Sequence, residues 1–175
     1  CFNHVVGIDL VFPKNPINGE KEPWLNCICW GSQFQMLHRL PYINGQTNQT
    51  PENTWTAFVK AWVRIFGMPE IIVCDPGGEF QGYFCDQCAA RGTPVLPTDA
   101  RSPWQNGRTE RAGHEWKKQC RLARHREEPL DDAEYVAQCE ECCSVRNRYN
   151  NRSGFTPMQR VFGYTLRLPA SLLSD

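Results

Sequence analysis

No run of apolar residues in this 175-residue chain approaches the roughly 18 that a membrane-crossing helix needs. A charge surplus is missing as well: 19 basic residues meet 19 acidic ones, which argues against a uniformly basic nucleic-acid binder. The first ten residues lack the charged start and the small-residue cleavage site of a signal peptide. No internal repeat, linker or low-complexity tract is visible. The chain opens on Cys1 instead of Met, which suggests a domain cut from a longer polypeptide. What is present is a globular composition, 41% hydrophobic and 11% aromatic, enough for one domain with a full core.

Cysteine is plentiful, at ten residues. Cys85 with Cys88, and Cys139 with Cys142 and Cys143, fall inside helical patterns. Spacings of three and four place them on one helix face as small buried hydrophobes. A four-thiolate zinc site built from both groups would lack the turn-forming Gly of a knuckle. Reduced thiols in an intracellular compartment are the expectation.

The local signals read in order as three strands, a helix, a strand, a helix, a strand and further helices. Residues 4–12, 24–30 and 34–40 have strand character, with Asn18-Gly19 as the turn signal of the first loop. Thr50-Pro51-Glu52 starts a helix: Thr as N-cap, Pro at the first position, Glu in the first turn. Trp55, Phe58, Val59, Trp62, Val63 and Phe66 recur at helical spacing as a core face, and Gly67 ends it. Residues 71–74 form a short apolar strand, 80–91 a helix, 93–97 a strand, and 98–105 a small polar loop. A long helix covers about 107–126, another runs from Asp131 or Asp132 to about Asn150, and Thr156-Pro157 begins a last short one ended by Gly163. This order describes one mixed α/β layer.

Three acids stand at informative places in this layout. Asp9 ends the first strand, Asp75 ends the strand at 71–75, and Glu110 lies at the start of the long helix. Carboxylate oxygens suit magnesium or manganese, and a pair of such ions can activate both the entering and the leaving oxygen of a phosphodiester. Two other acids compete. Glu115 lies about 500° round the helix from Glu110, off its face. Glu79, four residues after Asp75, could support the site or cap the helix that follows.

The helix of Glu110 has two stripes. At about 100° per residue, His114, Lys117, Arg121 and Arg124 fall within roughly 40° of Glu110, while Ala112, Trp116, Cys120 and Ala123 form a core stripe. Residues 101–126 carry eight Lys or Arg against Glu110 and Glu115, a local footprint for phosphate. Gln105-Asn106-Gly107 just before the helix is polar and suited to close approach to a backbone.

These residues resemble the catalytic core of retroviral and long-terminal-repeat retrotransposon integrases, particularly the gypsy-like and copia-like kinds. Gly7-Ile8-Asp9 resembles the first-strand motif, and Phe66-Gly67-Met68-Pro69 leading to Cys74-Asp75-Pro76-Gly77-Gly78-Glu79-Phe80 the second. Ser102-Pro103-Trp104-Gln105-Asn106-Gly107-Arg108-Thr109-Glu110-Arg111 resembles the third and is the most specific. Arg152-Ser153-Gly154-Phe155-Thr156-Pro157 through Phe162-Gly163 resembles the segment that follows the core in retrotransposon integrases. Cys29-Trp30-Gly31-Ser32 departs from the pattern, because relatives often carry an acidic–basic pair there.

The resemblance implies an α/β, ribonuclease H-like fold: a five-stranded mixed sheet, first three strands antiparallel, with helices on both faces. It implies a core at 1–150 and a short C-terminal extension at 151–175. It implies Asp9, Asp75 and Glu110 as catalytic and metal-binding residues for two Mg2+ or Mn2+ ions. Gln105, Asn106, His114, Lys117 and Arg121 would contact DNA. The implied reaction is DNA 3′-end nicking followed by strand transfer. The implied partners are retroelement DNA ends, target DNA and further copies of the chain, with no membrane. The implied place is the host nucleus, after a virus-like particle. The family's zinc-binding module before the core and variable module after it are not in the chain, so nicking or the reverse reaction is the most expected of it alone. Two rivals share the fold: an integrase-derived binding protein without catalysis, and a cut-and-paste transposase or nuclease.

Overall fold

The computed structural model describes residues 1–43, 46–98, 106–149 and 154–164. The chain begins with β1 (Val5–Val11), β2 (Trp24–Cys29) and β3 (Gln35–Arg39), followed by a small hairpin of β4 (Tyr42–Ile43) and β5 (Gln46–Thr47). Helix α1 (Pro51–Phe58) continues through a π-helical turn (Val59–Val63) into α2 (Arg64–Phe66). Then come β6 (Ile71–Cys74), a 3-10 turn (Gly78–Phe80), α3 (Tyr83–Ala89) and β7 (Val95–Pro97). Helices α4 (Gly107–Arg126), α5 (Asp132–Tyr149) and α6 (Pro157–Phe162) complete the described chain.

The main sheet has the order β3-β2-β1-β6-β7. Its first three strands form antiparallel pairs. β6 and β7 join in parallel, and each reaches its place by a helical crossover, since parallel strands cannot be joined by a tight turn. This is the five-stranded mixed sheet expected from the sequence.

Local sequence explains the element ends. Thr50 Oγ1 accepts from Asn53 N at 3.3 Å ahead of Pro51. Thr156 and Gln159 close a reciprocal capping box ahead of Pro157. Some details differ from expectation. The helix expected over 80–91 is a 3-10 turn and then α3, separated by Gly82 at φ 50°. The β4–β5 hairpin is not among the expected strands, although the Asn44-Gly45 dipeptide between its strands is a hairpin turn signal.

The two-residue period of a strand sorts the core. Val6, Ile8, Leu10, Leu25, Cys27, Cys29, Ile72 and Cys74 face one way, against Trp55, Phe58, Trp62, Phe84 and Met158. Val11, Trp24 and Leu37 face the other way, against Trp116 and Cys120 of α4 and Tyr135, Cys139, Cys142 and Cys143 of α5. Among the described residues all ten cysteines are free thiols. Cys88 lies in the first cluster and Cys139, Cys142 and Cys143 in the second, so the two cysteine groups do not meet in a shared zinc site.

Helix α5 is fastened to the edge strand β3 at both ends. Arg39 grips Asp132 with two bonds of 2.6 and 2.8 Å, which holds the Asp132 carboxyl below its usual range. At the other end the Asn147 side chain accepts from Gln35 N at 2.9 Å and donates to Gln35 O at 2.7 Å. The amide thus stands in for the next strand and satisfies an edge that would otherwise be open.

Candidate active site

β1 and β6 run parallel with Val5 beside Ile71, Val6 beside Ile72 and Gly7 beside Val73. Two residues further along, Asp9 and Asp75 come level. Both have the parity of Gly7 and Val73, so both side chains leave the sheet on the face covered by α4. Asp75 lies just past the end of β6. Its Oδ1 accepts from Thr98 Oγ1 and from Asn106 Nδ2, each at 3.0 Å. The carboxylate is therefore oriented by the residue after β7 and by the N-cap of α4.

The third acid is brought in by close packing of α4 on β1. A Cβ placed on Gly7 would collide with Thr109 Oγ1 and stand 2.5 Å from Trp30 Nε1. A Cβ on Gly113 would stand 2.5 Å from Val11 Cγ1. Helix and strand come close at two points where one partner is a glycine, with Thr109 packed on Gly7 and Val11 packed on Gly113, one residue before and three after Glu110. Asn26, the cross-strand partner of Asp9, donates to the Thr109 carbonyl at 3.0 Å and locks the same contact.

The acids interact through charge. The Asp9 carboxyl is pushed up from 3.8 to about 6, first by burial and then by the negative charge of Asp75, with a smaller push from Glu110 and a smaller relief from Lys117. Glu110 itself is exposed. Among the described residues, no three carboxylate, imidazole or thiol groups stand close enough to make a finished metal cage. The three acids share electrostatic reach. The neighbouring Cys74 thiol is buried and pushed up to about 12, so it stays protonated and the ionisable set at the end of the strands is all carboxylate.

Several solved structures share this fold. A human T-lymphotropic virus type 2 (HTLV-2) integrase catalytic core domain in complex with magnesium, in its trimeric form, superposes with a TM-score of 0.72 at 19% identity, over 90% of this chain and 95% of that one. The bovine immunodeficiency virus (BIV) integrase core gives 0.69 at 14% identity, over 90% of this chain and 93% of that one. A simian T-cell lymphotropic virus intasome chain gives 0.77 at 15% identity, over 95% of this chain. The fold is that of a retroviral integrase catalytic core. The chain spans 56% of the intasome polypeptide. No sequence-family pattern matches the chain, and no curated protein sequence matches it.

Within this integrase-type fold the residues singled out from sequence divide into groups. Asp9 sits in β1 and Asp75 just past the end of the adjacent β6, with Glu110 on the helix above them. Lys117 is half-buried and its charge reaches Asp9. His114 and Arg121 are exposed along α4. Arg124 donates to the Lys14 carbonyl at 2.6 Å, a tie to the first loop. Asn106 is buried with its side chain turned inward onto Asp75. Gln105 lies outside the described residues. The core stripe reads as expected, with Ala112, Trp116 and Cys120 buried. Glu115 faces away, 3.7 Å from Arg146. Glu79 folds back over Gly77, and α3 starts with no side-chain cap, so Glu79 does not serve as its cap.

Sequence reasoning missed the amides behind the site. Gln35 Nε2 donates to Asn26 Oδ1 at 2.7 Å, so Asn147, Gln35, Asn26 and the Thr109 carbonyl form one buried relay from α5 across the sheet to α4. The visible signal was an Asn inside the otherwise apolar run Trp24–Cys29. A polar group there must find a partner. Thr98 gave no such signal, because its partner is 23 residues away.

Proposed function

We propose that the chain is the catalytic core of a metal-dependent polynucleotidyl transferase, one that nicks the 3′ ends of retroelement DNA and joins them to target DNA. The observation that carries this reading is the level placement of Asp9 in β1 and Asp75 just past the end of the neighbouring β6, with the Glu110 charge in reach of Asp9. The donor set fits hard divalent cations: three carboxylates of like charge and no ionised thiol. Asp9, Asp75 and Glu110 would hold two Mg2+ or Mn2+ ions. Such ions, when bound, would supply Lewis-acid activation of the entering and leaving oxygens.

The chain's own residues have separate tasks. Thr98 and Asn106 fix the rotation of Asp75. Gly7, Gly113 and Asn26 fix the height of α4, and with it Glu110. Lys117 lies where a phosphate beside Asp9 would meet a cation, and His114 and Arg121 continue the same face toward the DNA backbone. Gln105 would contact DNA, while Asn106, buried against Asp75, would act through that carboxylate. The partners on this reading are element DNA ends, target DNA and further copies of the chain, and the reaction takes place in the nucleus after passage through a virus-like particle. The HTLV-2 cores are described in trimeric and dimeric forms. Among the described residues no helix is long and apolar enough to cross a membrane.

The test is a branched-DNA assay with Mg2+ comparing wild type with Asp9→Asn, Asp75→Asn and Glu110→Gln. Each variant is expected to lose at least about 100-fold in rate, as is usual when a group stabilising transition-state charge is removed. Equal activity in all four proteins would remove the assignment. DNA binding without turnover in any of them would favour the integrase-derived binding protein.

A further inference from the structure

Beside the three acids, on a different face of α4, lies a cavity of about 270 Å3 that the proposed chemistry does not use. Its walls include Trp30 from the end of β2, Arg108, Arg111 and Glu115 from α4, and Gln33 and Arg146 from across the sheet edge. Arg108 and Arg111 lie roughly 160° and 100° round the helix from Glu110, so they do not belong to the Lys117–Arg121 ladder.

We infer that this cavity holds one unpaired nucleotide of a DNA strand, its base against the Trp30 indole and its phosphate among the arginines. Trp30 is half-buried, and its Nε1 donates to Thr109 Oγ1 at 3.2 Å, which fixes the ring plane. The Arg108 guanidinium sits 5.9 Å over that ring, so one cation already occupies the π face and, being exposed, can swing off it toward a phosphate. Three guanidinium groups line the cavity against the one carboxylate of Glu115. Arg146 is held by the Gln33 carbonyl at 3.2 Å and by Glu115 at 3.7 Å, which makes it a fixed charge at the cavity wall. An indole face beside mobile guanidinium groups matches a base with its phosphate. A paired base hides its faces in the stack, so only an unpaired one can use this wall. The strand identity rests on the proposed function; the binding itself needs no metal.

The test measures binding in EDTA by fluorescence anisotropy, with a duplex carrying one unpaired 3′ nucleotide and the same duplex with an abasic residue there. Wild type is expected to prefer the intact nucleotide by about tenfold, the scale of one base–aromatic stack. Arg108→Gln with Arg111→Gln should flatten the slope of log K against log salt by about 0.7, for the one phosphate of the seated nucleotide on a single strand. Trp30→Leu should erase the base preference and Trp30→Phe should keep it. A 2-aminopurine at the unpaired position should be quenched on binding to wild type, a readout that stands even where Trp30→Leu fails to fold. Equal affinity for intact and abasic ends, an unchanged salt slope, or unquenched 2-aminopurine overturns the proposal. Asp9→Asn should retain the base preference, so loss of the catalytic assignment and loss of this site give different results.

Discussion

On one face of the sheet Phe58, Trp62 and Phe84 are fully buried, with Phe58 and Phe84 ring centroids 5.7 Å apart. On the other, Trp24, Trp116 and Tyr135 share the space with Cys120, Cys139, Cys142 and Cys143. The first face is filled by rings from α1, the π-helical turn and α3, with Cys27, Cys29, Cys74 and Cys88 among them, and it supports strands. The second is a smaller cluster in which two tryptophans and a tyrosine pack beside four thiols, and it supports the helix that bears Glu110. Bulk therefore sets the positions of Asp9 and Asp75, while the position of Glu110 depends on two glycine contacts and a buried amide relay. A site assembled this way is stiff on the strand side and sensitive to small changes on the helix side.

Large truncations break the comparison most directly. Phe84→Ala and Trp116→Ala should each cost about 3–5 kcal/mol of stability, read from urea melts. Nicking per folded molecule should survive in Phe84→Ala and fall in Trp116→Ala, because only the second loosens α4. Equal activity per folded molecule would erase the distinction between the faces. Gly7→Ala tests the contact itself. The added methyl meets Thr109 Oγ1, a short side chain that cannot swing away, so a loss of about 1–3 kcal/mol is expected, with nicking reduced further than stability alone explains.

Asp9 gives a smaller effect of opposite sign. Its carboxyl rises from 3.8 to about 6 on folding, so between those values the native state binds more protons than the unfolded one. Its contribution to stability is complete below the unfolded value and is lost as pH rises through about 6. At pH 8 without divalent metal, the ionised group costs about 3 kcal/mol at most. Asp9→Asn should therefore raise the metal-free melting temperature at pH 8 while abolishing nicking. Mg2+ should stabilise wild type and leave Asp9→Asn nearly unchanged, by the linkage of ligand to the native state. No gain at pH 8 would remove the strained-carboxylate account. The smallest effect is expected at the thiols: Cys142→Ala should cost about 1 kcal/mol and leave nicking per folded molecule intact.

Much of this was legible before any coordinates. The N-caps Thr50 and Thr156 and the core stripe of α4 are short-range signals that tertiary packing had no reason to override, whereas the single helix expected from Trp55 to Phe66 is interrupted by a π-helical turn at Val59–Val63. The 80–91 segment was misread because the Gly82 break lies between two apolar stretches that share a helical spacing. Asn26, Gln35, Thr98 and Asn147 were not legible, since each acts through a partner from 9 to 112 residues away.

The sequence by itself determined the order of the main-sheet strands and long helices, the place of Asp75 at the end of its strand, and that of Glu110 in the first turn of its helix, because caps, periods and breaks act over a few residues; Asp9, expected at a strand end, lies inside β1, two residues before Val11. Only the tertiary structure decided that β6 lies beside β1 in a register that levels the two aspartates. It alone decided that Asn106 turns inward onto Asp75, and that Arg108 and Arg111 line a second cavity. Those outcomes depend on pairings between distant segments, whose contacts are made only when the sheet has closed around its two cores.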